Sequence, residues 1–184
     1  SWNILTKCRA ESRKRNNGFD KNENTHEYTN RLRHIATLIA QYFVHNTTDL
    51  PLIITLQECP MEPTLHQEFL QQISFVSQID LAFETLPISR HFGNVTIWDA
   101  AEWDIKQQRP MEHGAFSRAL LTELLPRSRT RCPPCKLYNV HLQWKAHQSS
   151  SHYGSHAMHI AAILRRKLSE PGLTIVVGDF NMSL

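Results

Sequence analysis

Close to its end the sequence reads Leu173-Thr-Ile-Val-Val-Gly-Asp-Phe-Asn181. Leu173 to Val177 are apolar or β-branched without interruption, the pattern of a short strand covered on both faces. Such a strand needs a sheet with layers on either side of it. Gly178 lets the backbone bend, and Asp179 and Asn181 follow two residues apart, a spacing that turns both side chains the same way on an extended chain. A carboxylate and a carboxamide at the mouth of a buried strand are poorly placed for packing and well placed to hold a water or a metal. Taken alone, the tripeptide also fits a plain Gly-Asp turn, so its meaning depends on how the other strands end.

The 184 residues suffice for one domain with a sizeable core. No apolar run approaches the roughly 20 residues of a membrane-spanning helix. The net charge of +3 does not by itself indicate a partner. Its distribution says more, with Lys7, Arg9, Arg13, Lys14 and Arg15 clustered near the start and Arg127, Arg129, Arg131 and Lys136 further on. The cysteines are Cys8, Cys59, Cys132 and Cys135, whose count would permit a disulfide framework that a chain of this size does not need; Cys59 beside a candidate site residue suggests a reducing, cytoplasmic compartment.

In chain order, Trp2 to Leu5 reads as a strand, followed by a polar, basic segment. Tyr28, Leu32, Ile35, Ile39 and Tyr42 then recur at helical spacing, with Asn24 or Thr25 as N-cap. Leu52 to Leu56 is a second buried strand, running into Gln57-Glu58-Cys59-Pro60. A helix starts near Pro63 with Leu65, Phe69, Ile73 and Val76 on one face. Strands are expected near Leu81 to Leu86, over Gly93 to Trp98, and over Trp103 to Gln107, the last pairing with its predecessor. Phe116 to Leu125 and Lys136 to Leu142 form two further extended runs around a loop rich in Pro and Arg. A helix spans His152 to Leu168, and Pro171-Gly172 leads into the final strand. Strands of mixed direction with helices between them indicate an α/β domain covering residues 1–184.

Polar residues recur at the C-terminal ends of these strands: Asn3, Glu58, Asn139 with His141, and Asp179 with Asn181. In open sheets, sites form where such ends converge. The segments Ser1-Trp-Asn-Ile-Leu5, Leu56-Gln-Glu58, Phe116-Ser-Arg118, Asn139-Val-His-Leu142 and Gly178-Asp-Phe-Asn181 together resemble the endonuclease/exonuclease/phosphatase superfamily, the group of the deoxyribonuclease-I-like enzymes. The resemblance implies two packed mixed β-sheets flanked by helices, a four-layer α/β/β/α sandwich. It also implies hydrolysis of a phosphodiester or phosphomonoester with a divalent metal, Mg²⁺ with Mn²⁺ as a substitute. The substrate would be nucleic acid or a small phosphorylated molecule.

Carried over position by position, the resemblance makes Glu58 the metal ligand, a hard carboxylate donor. Asn3 would orient that carboxylate or its water shell, and Asp179 would position the attacking water. Asn181 would donate a hydrogen bond to a phosphoryl oxygen as charge accumulates. His141 and Arg118 would contact the phosphate, and Asn139 would contribute to substrate binding. If the runs from Phe116 and from Lys136 form a hairpin, Arg118 opens one arm and His141 closes the other. Both then lie at the same end, with the Arg127–Arg131 loop at the other.

Members of the superfamily also carry an Asp-His pair on a later loop, which this sequence does not reach. The start at Ser1 and the stop at Leu184 read as cut ends, so the second sheet is expected to be incomplete at its C-terminal side and residues 1–184 alone to be weakly active at best. The alternative from another class is a non-catalytic binding module with a degenerate site. Cys132-Pro-Pro-Cys135 has the spacing of a zinc knuckle or redox pair but lacks a second pair, and two thiols that hold no metal are the expectation. His152, His156 and His159 share a helical face and read as a solvated one, and Cys59, next to Glu58 on a strand, should point away from it into packing. The basic Lys7–Arg15 segment follows Asn3 and is expected to attract an anionic substrate. Neutralising Lys14 and Arg15 together should weaken substrate binding and flatten its dependence on salt, as measured by titrations at several ionic strengths.

Overall fold

Helix α1, Thr25–Val44, begins at a reciprocal cap. The Glu27 backbone N–H donates to Asn24 Oδ1 at 3.0 Å, and the Asn24 N–H donates to the Glu27 carboxylate at 2.7 Å. The helix buries Tyr28, Leu32, Ala36, Ile39, Ala40 and Phe43. Tyr42, expected inward from its spacing, is exposed instead, because Phe43 takes the core position; the Tyr42 ring meets Trp2 edge-on at 5.3 Å. Helix α2, Pro63–Ser77, starts with proline in its first turn and Glu62 accepting from the Thr64 and Leu65 amides. It ends where Gln78 turns left-handed, at φ 54°.

The computed structural model describes residues 1–4, 23–46, 52–110, 119–127, 133–141 and 172–180. Its strands are β1 (Trp2–Asn3), β2 (Ile53–Pro60), β3 (Leu81–Pro87), β4 (Phe92–Asp99), β5 (Trp103–Pro110), β6 (Ala119–Pro126), β7 (Cys135–His141) and β8 (Leu173–Asp179). They form two four-stranded sheets, ordered β1-β2-β4-β3 and β5-β6-β7-β8. Each combines two antiparallel pairings with one parallel pairing, β1 with β2 and β7 with β8. The architecture is the expected α/β sandwich of two packed mixed sheets. Both described helices cover the first sheet; the expected helix over 152–168 lies outside the described residues.

One pairing differs from the sequence expectation. Strand β5 joins β6 in the second sheet and does not pair with β4. Trp98 and Trp103 flank the turn between β4 and β5, and both indoles are buried in the same cluster between the sheets, so the turn crosses from one layer to the other. The turn is held by the Ala101 N–H on Asp99 Oδ1 at 2.8 Å and the Ala100 N–H on Asp80 O at 2.8 Å.

The apolar residues sort by face. Leu56, Cys59, Val95, Ile97 and Leu81 pack under the helices with Ile39, Phe69 and Ile73. Trp98, Trp103, Leu124, Cys135 and Leu137 fill one end of the seam between the sheets, with Ile53, Ile175 and Val177 beside them. A third cluster, Ala119, Leu121, Tyr138 and Val140, lies on the outer face of the second sheet. Among the described residues, no helix is long and apolar enough to cross a membrane.

His66 ties α2 to the strands, with Nδ1 2.9 Å from Pro60 O and Nε2 3.4 Å from Thr85 Oγ1. A carbonyl partner requires the proton on Nδ1, leaving Nε2 to accept from the threonine hydroxyl. Burial lowers the His66 pKa from 6.5, outweighing the opposing pull of the Pro60 carbonyl. The unfolded chain therefore binds the proton first as pH falls, so the stability His66 contributes is full above about pH 6.5 and is lost as pH drops through its lower folded value. Replacing His66 by Gln should flatten the acid side of the stability profile, measured by urea unfolding between neutral and mildly acidic pH.

Candidate active site

Glu58 owes its place to a break in strand geometry. The pairing of β2 with β4 is regular as far as Leu56 opposite Val95 and resumes at Cys59 opposite Gly93. Between them Glu58 adopts φ 56°, the left-handed region that side chains disfavour. The bulge turns Glu58 toward the seam while Cys59 enters the core under the helices, as its neighbouring position suggested. Burial pushes the Cys59 thiol well above its usual pKa, which suits packing and not nucleophilic attack.

Three other strand ends meet Glu58. His141 Nε2 lies 3.5 Å from Glu58 Oε1, and both residues are fully buried. His141 stands opposite Asp179 across the parallel β7–β8 pair, and the Phe92 ring packs edge-on against the imidazole at 5.6 Å. From β1, Asn3 Nδ2 donates to Asp179 Oδ2 at 2.6 Å and to Glu58 Oε1 at 3.3 Å. Ligand atoms of Glu58, His141 and Asp179 fall within 4.8 Å of one another, a group that can hold a metal ion. Two carboxylates this close repel unless a proton or cation lies between them, and a hard divalent cation suits such donors.

Of the residues singled out in the sequence, Asn3, Glu58, His141 and Asp179 therefore come together. Arg118 and Asn181 lie outside the described residues, as do the Lys7–Arg15 segment, Arg129, Arg131, Cys132 and the His152, His156 and His159 set. The hairpin geometry expected for Arg118 is present up to its neighbour, with Ala119 opposite Val140. At the far end Arg127 pairs with Asp104 at 2.6 Å, remote from His141. Cys135 is buried in the apolar end of the seam.

Asn139 sits differently from a group that meets substrate. It is wholly buried, and its amide bonds to Gln57 Nε2 at 2.7 Å, Leu56 O at 3.1 Å and Val95 O at 2.9 Å. Gln57 and Asn94, which donates to Asn139 O at 2.9 Å, support the site and were not singled out beforehand. An amide beside Glu58 and a Gly-Asn pair opening an apolar strand were the available signals.

The fold has solved counterparts. ANGEL2, a 2',3'-cyclic phosphatase in complex with adenosine-2',3'-vanadate, superposes with a TM-score of 0.64 at 17% identity, over 98% of this chain and 52% of that one. TDP2 from D. rerio, complexed with a single-strand DNA product, gives 0.61 at 15% identity over 99% of this chain and 59% of its own. The human Nocturnin catalytic domain with bound sulfate gives 0.57 at 15%, over 99% and 62%. The chain has the endonuclease/exonuclease/phosphatase fold. It spans 52% to 62% of the length of these three structures. No protein-family profile matches the sequence, and no curated protein matches it.

Gly178 sets the approach of Asp179. Its φ is 142°, and an added Cβ would stand 1.9 Å from Val140 O. Gly178→Ala should therefore lose on the order of 1–3 kcal/mol to overpacking, with backbone strain in addition. Chemical denaturation would show the loss as a lowered midpoint.

Proposed function

We propose that this chain is the catalytic portion of a metal-dependent phosphoesterase that hydrolyses a phosphodiester or phosphomonoester with water. The observation that carries the reading is the convergence of Asn3, Glu58, His141 and Asp179 from four strands at one end of the seam. Nucleotide, sulfate and DNA ligands in the solved counterparts support a phosphorylated substrate, either nucleic acid or a smaller molecule. The free, buried thiol of Cys59 supports a reducing, cytoplasmic setting.

Glu58 is the carboxylate best placed to ligate a divalent cation, with Asp179 and His141 close enough to join it. Carboxylate oxygens fit Mg²⁺, and an imidazole in the set makes Mn²⁺ a natural substitute. When bound, such an ion polarises a phosphoryl oxygen and neutralises the charge that develops there. Asp179, half-buried and held by Asn3, orients the attacking water and draws on its proton. His141, 3.5 Å from Glu58, would donate an N–H to the phosphate once substrate is bound. Asn3 holds the two carboxylates in one arrangement through both of its short contacts. By their sequence positions, Arg118 and Asn181 would add donors to the same phosphate, the guanidinium gripping two oxygens and the carboxamide one.

The test is a substrate panel of DNA, RNA, inositol phosphates and bis-aryl phosphates, assayed on the full-length protein with Mg²⁺, with EDTA and after Mg²⁺ is restored. Hydrolysis should disappear with EDTA and return with the metal. Glu58→Gln and Asp179→Asn should each cut the rate by about 10²-fold or more while circular dichroism stays unchanged. Absence of hydrolysis on every substrate would favour the non-catalytic module.

A further inference from the structure

Strand β2 places two consecutive residues on the same side. Leu56 and Cys59 pack under the helices, whereas Gln57 and Glu58 both reach into the seam, toward Asn139 and His141. Strict alternation forbids this, and the left-handed φ of 56° at Glu58 is what allows it. A non-glycine residue keeps such a conformation only where its surroundings determine it.

Those surroundings come from the other sheet. Asn139 Nδ2 donates to Leu56 O at 3.1 Å and to Val95 O at 2.9 Å. Leu56 and Val95 are the last regular partners before the β2–β4 register breaks. The carbonyl of the same amide accepts from Gln57 Nε2 at 2.7 Å, and the Asn139 main-chain oxygen accepts from Asn94 Nδ2 at 2.9 Å. One side chain on β7 thus closes the ladder where it opens on β2 and β4, and grips the residue immediately before Glu58. His141 follows two residues later on the same face of β7.

We propose that Asn139 is a positioning residue: it caps the bulge from the opposite sheet, holds Glu58 in its left-handed turn, and thereby sets the Glu58 carboxylate against His141 and Asp179. The catalytic consequence rests on the phosphoesterase reading; the structural content does not. Asn139 reaches the chemistry only through Glu58 and the strand it shares with His141. An asparagine that merely glued the sheets together would affect stability and leave the geometry of Glu58 untouched.

Two variants separate these roles. Gln57→Met keeps the volume and removes one donor to the Asn139 amide, and Asn139→Ser removes the reach to Leu56 and Val95. Crystal structures of the variants should show Glu58 leaving the left-handed region and its carboxylate moving away from His141. Mn²⁺ binding, followed by electron paramagnetic resonance, should weaken by about 10–100-fold, the usual effect of losing a group that orients a metal ligand. In a Glu58→Gln background, Asn139→Ser should change Mn²⁺ binding no further. If melting temperature falls while the Glu58 backbone and the Mn²⁺ affinity stay as in the parent, the proposal is overturned. Should Asn139→Ser fail to fold, Gln57→Met decides the matter by the same two readouts. A parent protein that binds no Mn²⁺ would instead count against the phosphoesterase reading, and the Glu58 backbone in the variant structures would still decide the role of Asn139.

Discussion

The amide of Asn139 joins two sheets partway along a seam that changes from apolar to polar between its ends. At one end of the seam Ile53, Trp98, Trp103, Leu124 and Cys135 pack as an apolar layer. Threonines follow, Thr55 opposite Thr96 on the first sheet and Thr122 on the second, all buried. Next come the amides Gln57, Asn94 and Asn139, bonded to one another across the gap. Glu58, His141 and Asp179 stand at the far end. Polarity therefore rises in steps along the sandwich. Within that polar end, Asn3 donates to Glu58 and the Glu58 carboxylate lies 3.5 Å from His141, contacts that offset part of the cost of burying them.

That gradient also explains how a site can be both buried and polar without weakening the domain. The apolar end supplies the area removed from water that holds the layers together. The amide layer fixes the strands in register, since a slip of β7 by one residue would turn Asn139 and His141 outward and bring Tyr138 and Val140 into the seam. Stability and site geometry are thus assigned to different levels of the same interface. Rigid strands, and not loops, carry four of the polar groups, which suits a site whose parts must hold fixed distances.

Much of this was legible from residue order. Continuous apolar runs mark β2 and β8, helical spacing marks α1 and α2, and the polar residues ending the strands point to Asn3, Glu58, His141 and Asp179. The rest was hidden for physical reasons. A short turn after an apolar strand looks like a hairpin, and only the joint burial of Trp98 and Trp103 reveals that β5 crosses to the other sheet. Spacing could not separate Tyr42 from Phe43, neighbours on a helix edge of which Phe43 enters the core. Asn139 sits in a strand with the periodicity of a site residue, yet its partners, Leu56 and Val95, lie 83 and 44 residues away. No local pattern encodes such contacts.

The hydrogen bond between Asn3 and Asp179 joins residues 176 apart in the chain. During synthesis the first of them leaves the ribosome long before the second is made. Strand β1 can settle early beside β2, but the constellation at the seam cannot exist until β8 has threaded in beside β7. Pairing of such distant segments is slow, because a large loop must close before the contact rewards it. The geometry that brings Asn3, Glu58, His141 and Asp179 together is therefore a late product of folding, set by the arrival of β8 and not by β1.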